Sequence, residues 1–239
     1  MKFSMTESET FATALAVARE FNEFVSFSVA DGRLHASILD ATHVSVTTID
    51  MGIEVDDDAT GSFSIKTDEL SKTIALGGGG SLTMDVSNDT ARISMNEGKI
   101  QVDLRLFDVD VDLMSVDGYD AACTYTVSSN DFFKLVKDMG TFGDTIAIGQ
   151  GDGMRLVTKG DMGTVSVDID ASRDGSVVGT SSYATKYIIS LSKASKLSSS
   201  IGVSLGDCIP MRITLSNDRI TVSFYLAPKI QDDDENEDE

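Results

Sequence analysis

Residues 29–46 read VADGRLHASILDATHVSV, and residues 150–167 read QGDGMRLVTKGDMGTVSV. Asp31-Gly32 recurs as Asp152-Gly153, Asp40 as Asp161, and Val44-Ser45-Val46 as Val165-Ser166-Val167, all at an offset of 121. Upstream, the same offset relates Phe11 to Phe132, Phe21 to Phe142 and Val25 to Ile146. Downstream, it relates Leu70-Ser71-Lys72 to Leu191-Ser192-Lys193. Later the offset shifts: Ser87-Asn88-Asp89 recurs as Ser216-Asn217-Asp218, and Arg92-Ile93 as Arg219-Ile220. Chance does not hold one offset across so long a span. The chain therefore reads as two copies of one domain, residues 1–107 and 127–230. Its period lies far above the ~20–50 residues of solenoid repeats.

Each copy has the same internal order. An amphipathic helix comes first: ESETFATALAVAREF, with Phe11, Leu15 and Ala18 on one stripe, and SNDFFKLVKDMGTF, capped by Asn130 or Asp131, with Phe132, Leu135, Val136 and Met139 apolar. Alternating strands follow, with Asp-Gly pairs marking tight hairpins. A second short helix, KTDELSKTIALG or YIISLSKASKLSSS, precedes the closing strands. This order predicts an α+β protein of two duplicated domains, each mostly antiparallel sheet with two helices on one face. Residues 108–126 lack helical period and turn chemistry and read as an extended linker. Residues 231–239 read as a disordered acidic tail.

The 239 residues hold enough apolar material for real cores, and no apolar run approaches a membrane span. The N-terminus lacks a signal-peptide apolar region. Cys123 and Cys208 sit in no metal or redox spacing and read as reduced, buried thiols of an intracellular protein. The net charge is −20, and seven of those charges belong to DDDENEDE at the end, which leaves about −13 on the body. That balance argues against a nucleic-acid binder on its face, but a field depends on where charges sit.

Catalytic chemistry is hard to find. His35 and His43 have no His or Cys at ligand spacing. GGGGSL lacks the Lys and hydroxyl of a phosphate loop and reads as a loose helix end. DVDVDL resembles the start of a calcium loop, but Leu113 and Tyr119 stand where Gly and Glu are needed. No enzyme, metal or cofactor is expected.

The words LDATHVSV, LFDVDVD, CIPMRITL and FYLAPKI, the last before an acidic tail, resemble the eukaryotic-type sliding clamps, the family of proliferating cell nuclear antigen. The resemblance spans essentially the whole chain and includes the duplication. It implies a homotrimeric ring, with helices lining a hole for double-stranded DNA and sheets outside. It also implies partners: DNA polymerase and other proteins bearing a clamp-binding peptide, and a clamp loader. Nuclear localisation follows, or a viral replication compartment if a virus encodes the chain. No membrane partner is implied.

By the same resemblance, the DNA-facing residues are Arg19, Lys72, Arg105, Lys134, Lys137, Lys186, Lys193 and Lys196. From the residues alone, these are the solvated stripes of amphipathic helices. Only Arg19 is basic on the first helix, where the family is usually Lys-rich. The partner-peptide pocket would comprise Leu39, His43, Val44, Val46, Met114, Val116, Pro210, Tyr225, Ala227 and Pro228. Without the resemblance, His43 reads as an ordinary strand residue. Subunits would pair edge to edge, 99–106 of one with 164–169 of the next, through Lys99, Gln101, Asp103 and Arg105 against Thr164, Ser166 and Asp168.

Three functions compete. The first is a polymerase processivity clamp that encircles DNA. The second is a subunit of a heteromeric checkpoint ring, or a viral processivity factor that does not close; self-association separates it from the first. The third is a carboxylate-rich hydrolase using Asp40 and Asp161.

Overall fold

The structure, a computed structural model, describes residues 1–56, 59–109, 118–150, 153–176, 179–207 and 209–229. The first copy runs β1 (Lys2–Met5), α1 (Ser8–Phe21), β2 (Phe24–Ala30), β3 (Arg33–Leu39), β4 (Ser45–Gly52), β5 (Glu54–Val55), β6 (Gly61–Lys66), α2 (Thr67–Leu76), β7 (Leu82–Ser87), β8 (Thr90–Met95) and β9 (Ile100–Arg105). The second repeats this order as β10 (Cys123–Ser128), α3 (Ser129–Met139), β11 (Thr145–Gln150), β12 (Met154–Gly160), β13 (Gly163–Ile169), β14 (Ser172–Gly175), β15 (Ser181–Ala184), α4 (Thr185–Leu191) with a following 3-10 turn (Ser192–Leu197), β16 (Ser200–Leu205), β17 (Met211–Ser216) and β18 (Ile220–Leu226). The fold is α+β and mostly antiparallel. Strand β10 begins inside the segment read as linker and runs past its end.

The repetition extends to single hydrogen bonds. Ser8 N–H donates to the Gly80 carbonyl, as Ser129 does to Ser199. Thr67 N–H donates to Glu23, as Thr185 does to Asp144. Phe107 N–H donates to Ser64, as Lys229 does to Ser182. Each pair ties the same two elements in both copies, so both chain paths are set by the same local chemistry.

Three sheets result. One has the order β5-β1-β7-β8-β9, and a four-stranded one β13-β12-β11-β15. The third, β14-β10-β16-β17-β18-β4-β3-β2-β6, joins a five-stranded half of the second copy to a four-stranded half of the first. The seam is the pairing of β18 with β4, where Val222 faces Ile49 and Phe224 faces Thr47, all buried. The equivalents of these two strands, β9 and β13, end their own sheets. Their inward residues Ile100, Val102 and Leu104, and Val165, Val167 and Ile169, are only half-buried. In β9, β13 and β18 every second residue is apolar and faces the core, whereas β4 puts Ser45 and Thr47 beside Ile49 and Met51 in its inward row.

The helices form one layer, with α1 contacting α2, α4 and the 3-10 turn, and α3 contacting α4. The expected stripe of α1 is buried at Phe11, Leu15 and Ala18. Where the copies meet, Phe21 stacks on Tyr187 and Phe224, with ring centres 6.1 and 5.5 Å apart. These rings lock the helical layer to the seam in the sheet.

Four readings need correction. Helix α3 is capped by Ser128, whose hydroxyl accepts the Asp131 N–H at 3.4 Å, and not by Asn130 or Asp131. His43 lies outside any strand, in a left-handed conformation with φ of 60°. The two Val-Ser-Val words are not equivalent: Val165 pairs with Thr158 as Thr47 pairs with Ile38, so Val165 answers to Thr47. Ser216-Asn217-Asp218 connects β17 to β18, whereas Ser87-Asn88-Asp89 connects β7 to β8, so that word recurs in a different hairpin.

Candidate functional site

Seven of the eight expected DNA-facing cations lie on the helical layer: Arg19 on α1, Lys72 on α2, Lys134 and Lys137 on α3, Lys186 on α4, and Lys193 and Lys196 on the 3-10 turn. All seven are exposed. Arg105 instead ends strand β9, its guanidinium 5.6 Å from the Phe107 ring centre. The cations differ in their partners. Asp68 binds both Arg19, at 3.2 Å, and Lys72, at 2.5 Å. The hydrogen bond from Lys72 is the leading cause that holds the Asp68 carboxyl below its ordinary range. Lys193 pairs with Glu20. Lys186 sits 4.9 Å from the Tyr187 ring centre. Among the described residues Lys134, Lys137 and Lys196 form no ion pair. Among the described residues, the cations of this layer without an ion pair thus lie on the second copy.

The outer face carries a different arrangement. Ser204, Arg212, Tyr225, Val46 and Leu39 stand directly opposite one another on β16, β17, β18, β4 and β3. They form one row across both copies, because directly paired residues share a face. The row brings together Leu39, Val46 and Tyr225, three of the expected pocket residues, and all three are half-buried. Pro210 lies exposed just before β17. Met114 and Val116 lie outside the described residues.

Tyr119 packs over this row. Its ring meets Tyr225 edge-on at 5.4 Å, and the Arg212 guanidinium lies 4.4 Å from its centre. Its hydroxyl reaches the carbonyls of Pro210, at 3.0 Å, and Ser204, at 3.2 Å. Burial pushes the Tyr119 phenol up to about 12 against the opposing charge of Arg212, so it remains a neutral donor near pH 7.

Beside the row opens a mainly apolar cavity of about 540 Å³. Val44, Ala184, Tyr187, Ile189, Leu226, Ala227 and Pro228 line it, with Asp144, Lys186 and Lys229 among the charged residues. It holds three further expected residues: Val44, Ala227 and Pro228. The Ala227 N–H donates to the Val44 carbonyl at 2.9 Å, which fixes the two walls together. Lys229 pairs with Asp144 at 3.6 Å.

Asp40 shapes the loop that carries His43 and Val44. It is buried, and its carboxylate accepts the N–H groups of Thr42, Val44 and Ser45 and the hydroxyls of Thr42, Ser45 and Tyr187. Tyr187 belongs to the second copy, so Asp40 also rivets the two copies together. Burial pushes its pKa up, but the Thr42 hydroxyl and the Ser45, Thr42 and Val44 amides outweigh it and hold the carboxyl below its ordinary range. Asp161, in contrast, stands exposed between β12 and β13. Among the described residues no three His, Cys, Asp or Glu side chains cluster to hold a metal. Nor is any helix there long and apolar enough to cross a membrane.

Sequence reasoning did not identify Tyr119, Arg212, Tyr187 or Lys229 as site residues, nor Asp40 as a loop organiser. Only the strand period offered a signal: Arg212 and Tyr225 occupy outward positions in alternating segments.

Residues 115–230 match the family described as proliferating cell nuclear antigen, C-terminal domain. Over 140 residues the chain is 29% identical to proliferating cell nuclear antigen 2 of Drosophila melanogaster, covering 55% of each protein. Over 161 residues it is 28% identical to proliferating cell nuclear antigen of Chaetomium thermophilum, covering 62% of this chain and 60% of the relative. Over 241 residues it is 24% identical to a probable DNA polymerase sliding clamp 2 of Paramecium bursaria Chlorella virus 1, covering 96% of this chain and 91% of that one. The chain thus spans little more than half the length of the first two relatives and about nine-tenths of the third.

Proposed function

We propose that the chain, whose residues 115–230 match the C-terminal domain of proliferating cell nuclear antigen, is a sliding clamp of that family and serves as a DNA polymerase processivity factor. It encircles duplex DNA as a homotrimer, catalyses nothing itself, and holds polymerase and other replication or repair proteins by short peptides. A clamp loader opens it, and it acts at sites of DNA replication, in a nucleus or a viral replication compartment.

The observation that carries this reading is the seam between β18 and β4. The chain already contains one joint between a five-stranded half and a four-stranded half. The equivalents of those strands, β9 and β13, are free edges with half-buried apolar residues. Pairing β9 of one chain with β13 of the next repeats the seam. Such a head-to-tail interface generates a ring when its rotation closes. Copying the seam register places Ile100 opposite Val167, Val102 opposite Val165, Gln101 opposite Ser166, Asp103 opposite Thr164 and Lys99 opposite Asp168. The helical layer then faces the hole, and the outer row with its neighbouring cavity faces partners.

Light scattering tests the assembly: trimer mass at micromolar concentration supports the reading, and monomer mass opposes it. A heteromeric or non-closing clamp is the second reading. The acidic partners of Arg19, Lys72 and Lys193 favour it, since they weaken the lining of the hole. Monomer mass that becomes ring mass on adding a related chain would establish it.

A further inference from the structure

We propose that Arg212 and Tyr119 form a subsite for a carboxylate on the partner peptide, beside the peptide's aromatic anchor. The inference rests on the outer row being the peptide site.

Half of the arginines in this chain have an acid at hand. Arg19, Arg33, Arg92 and Arg155 pair with Asp68, Asp50, Asp103 and Asp168. Among the described residues Arg105, Arg173, Arg212 and Arg219 have no such partner, and of these only Arg212 is not fully exposed. Its Nε is buried without a hydrogen-bond partner among the described residues. Among the described residues its Nη2 reaches only the Ser204 hydroxyl, at a long 3.5 Å. Asp120, next to Tyr119, is exposed and forms no ion pair with it. A half-buried cation thus stands without an acidic partner among the described residues, on the docking face of a protein with net charge −20.

The geometry restricts what can answer it. Tyr119 stacks on the guanidinium and fixes its plane, while its own hydroxyl is pinned by two carbonyls. A planar, fixed guanidinium suits a carboxylate in a paired hydrogen-bond arrangement better than a single neutral acceptor. Tyr225 faces Arg212 directly across the strands and offers its ring to an aromatic anchor. An aromatic residue followed by an acid would satisfy both neighbours at once. A basic residue in that place would meet Arg212 head-on.

The test uses calorimetry on the full chain with two peptides. Each carries an aliphatic anchor and an aromatic pair, followed directly by Glu in one and Gln in the other. The wild-type protein should bind the Glu peptide about two- to fivefold tighter at low salt, the range for one partly exposed charge pair. Arg212→Gln should abolish the preference for the Glu peptide over the Gln peptide. Equal binding of both peptides by the wild type overturns the proposal and needs no variant. A preference that survives Arg212→Gln also overturns it. If neither peptide binds, or if Tyr225→Ala leaves binding untouched, the outer row is not the peptide site, and the inference falls with that reading.

Discussion

Asp40 shows how much one buried carboxylate decides here. Its acceptors hold the loop in which His43 adopts a left-handed conformation and Val44 turns toward the cavity. Asp40→Ala removes the side-chain acceptor of the Thr42, Val44 and Ser45 amides, Ser45 being buried, and should cost about 2–3 kcal/mol in urea unfolding. The pH dependence has a definite sign. A carboxyl whose folded pKa is depressed contributes stability above its unfolded value near ~4 and loses it as pH falls through the folded pKa. The gap between wild type and Asp40→Ala should therefore be constant from pH 6 to 8 and narrow in acid. A gap that widened in acid would oppose this account. None of it was legible in the sequence: Asp40 read as a repeat marker and possible hydrolytic acid, because its partner Tyr187 lies 147 residues away. Tyr119 escaped notice for the same reason, since it meets Arg212 and Tyr225 only through the fold.

Among the elements, the duplication was legible because both copies keep their period, helices and closing strands. Register was less so. Of the two Asp-Gly hairpins, only β2–β3 has both turn residues among the described ones, Asp31 and Gly32 at φ of 50° and 70°. Its counterpart Asp152 lies outside the described residues. The connection between β12 and β13 is shorter than that between β3 and β4, so identical words slide past one another although the strands correspond. The strand edges carry a sharp prediction. With Lys99 opposite Asp168 across the proposed interface, Lys99→Glu should weaken self-association by about threefold to tenfold, as should Asp168→Lys. The double exchange should restore most of the loss. Sedimentation measures all three, and a double variant weaker than either single one would exclude this register. Arg155 makes the Asp168 variant informative, because it already approaches Asp168 at 3.7 Å within the chain and would be left beside a new cation.

For the whole molecule, the question is how so acidic a body holds DNA. Attraction cannot be the main device. Of the helical-layer cations, Arg19, Lys72 and Lys193 are partly cancelled by Asp68 and Glu20. Affinity for a short linear duplex should lie at the weak end of non-specific binding, ~10⁻⁴ M or weaker, and fall further with salt. Retention should instead be topological: a loaded ring stays on circular DNA and leaves a linear duplex by its ends. Equal retention on both would sink the encircling reading. Charge still has a local role, and it belongs to the second copy. Lys134 and Lys137 lie three apart on α3, share a face, and have no ion pair among the described residues. Replacing both by Glu should impair loading or processive synthesis at physiological salt while leaving the oligomer's mass unchanged. Replacing Arg19 and Lys72 by Ala should do less, because each change removes a positive charge rather than reversing it, and Asp68 already cancels part of that pair's field. If the Arg19 and Lys72 pair proves the more damaging, DNA tracks the first copy's helices, and the ion pairs around Asp68 must open when DNA enters.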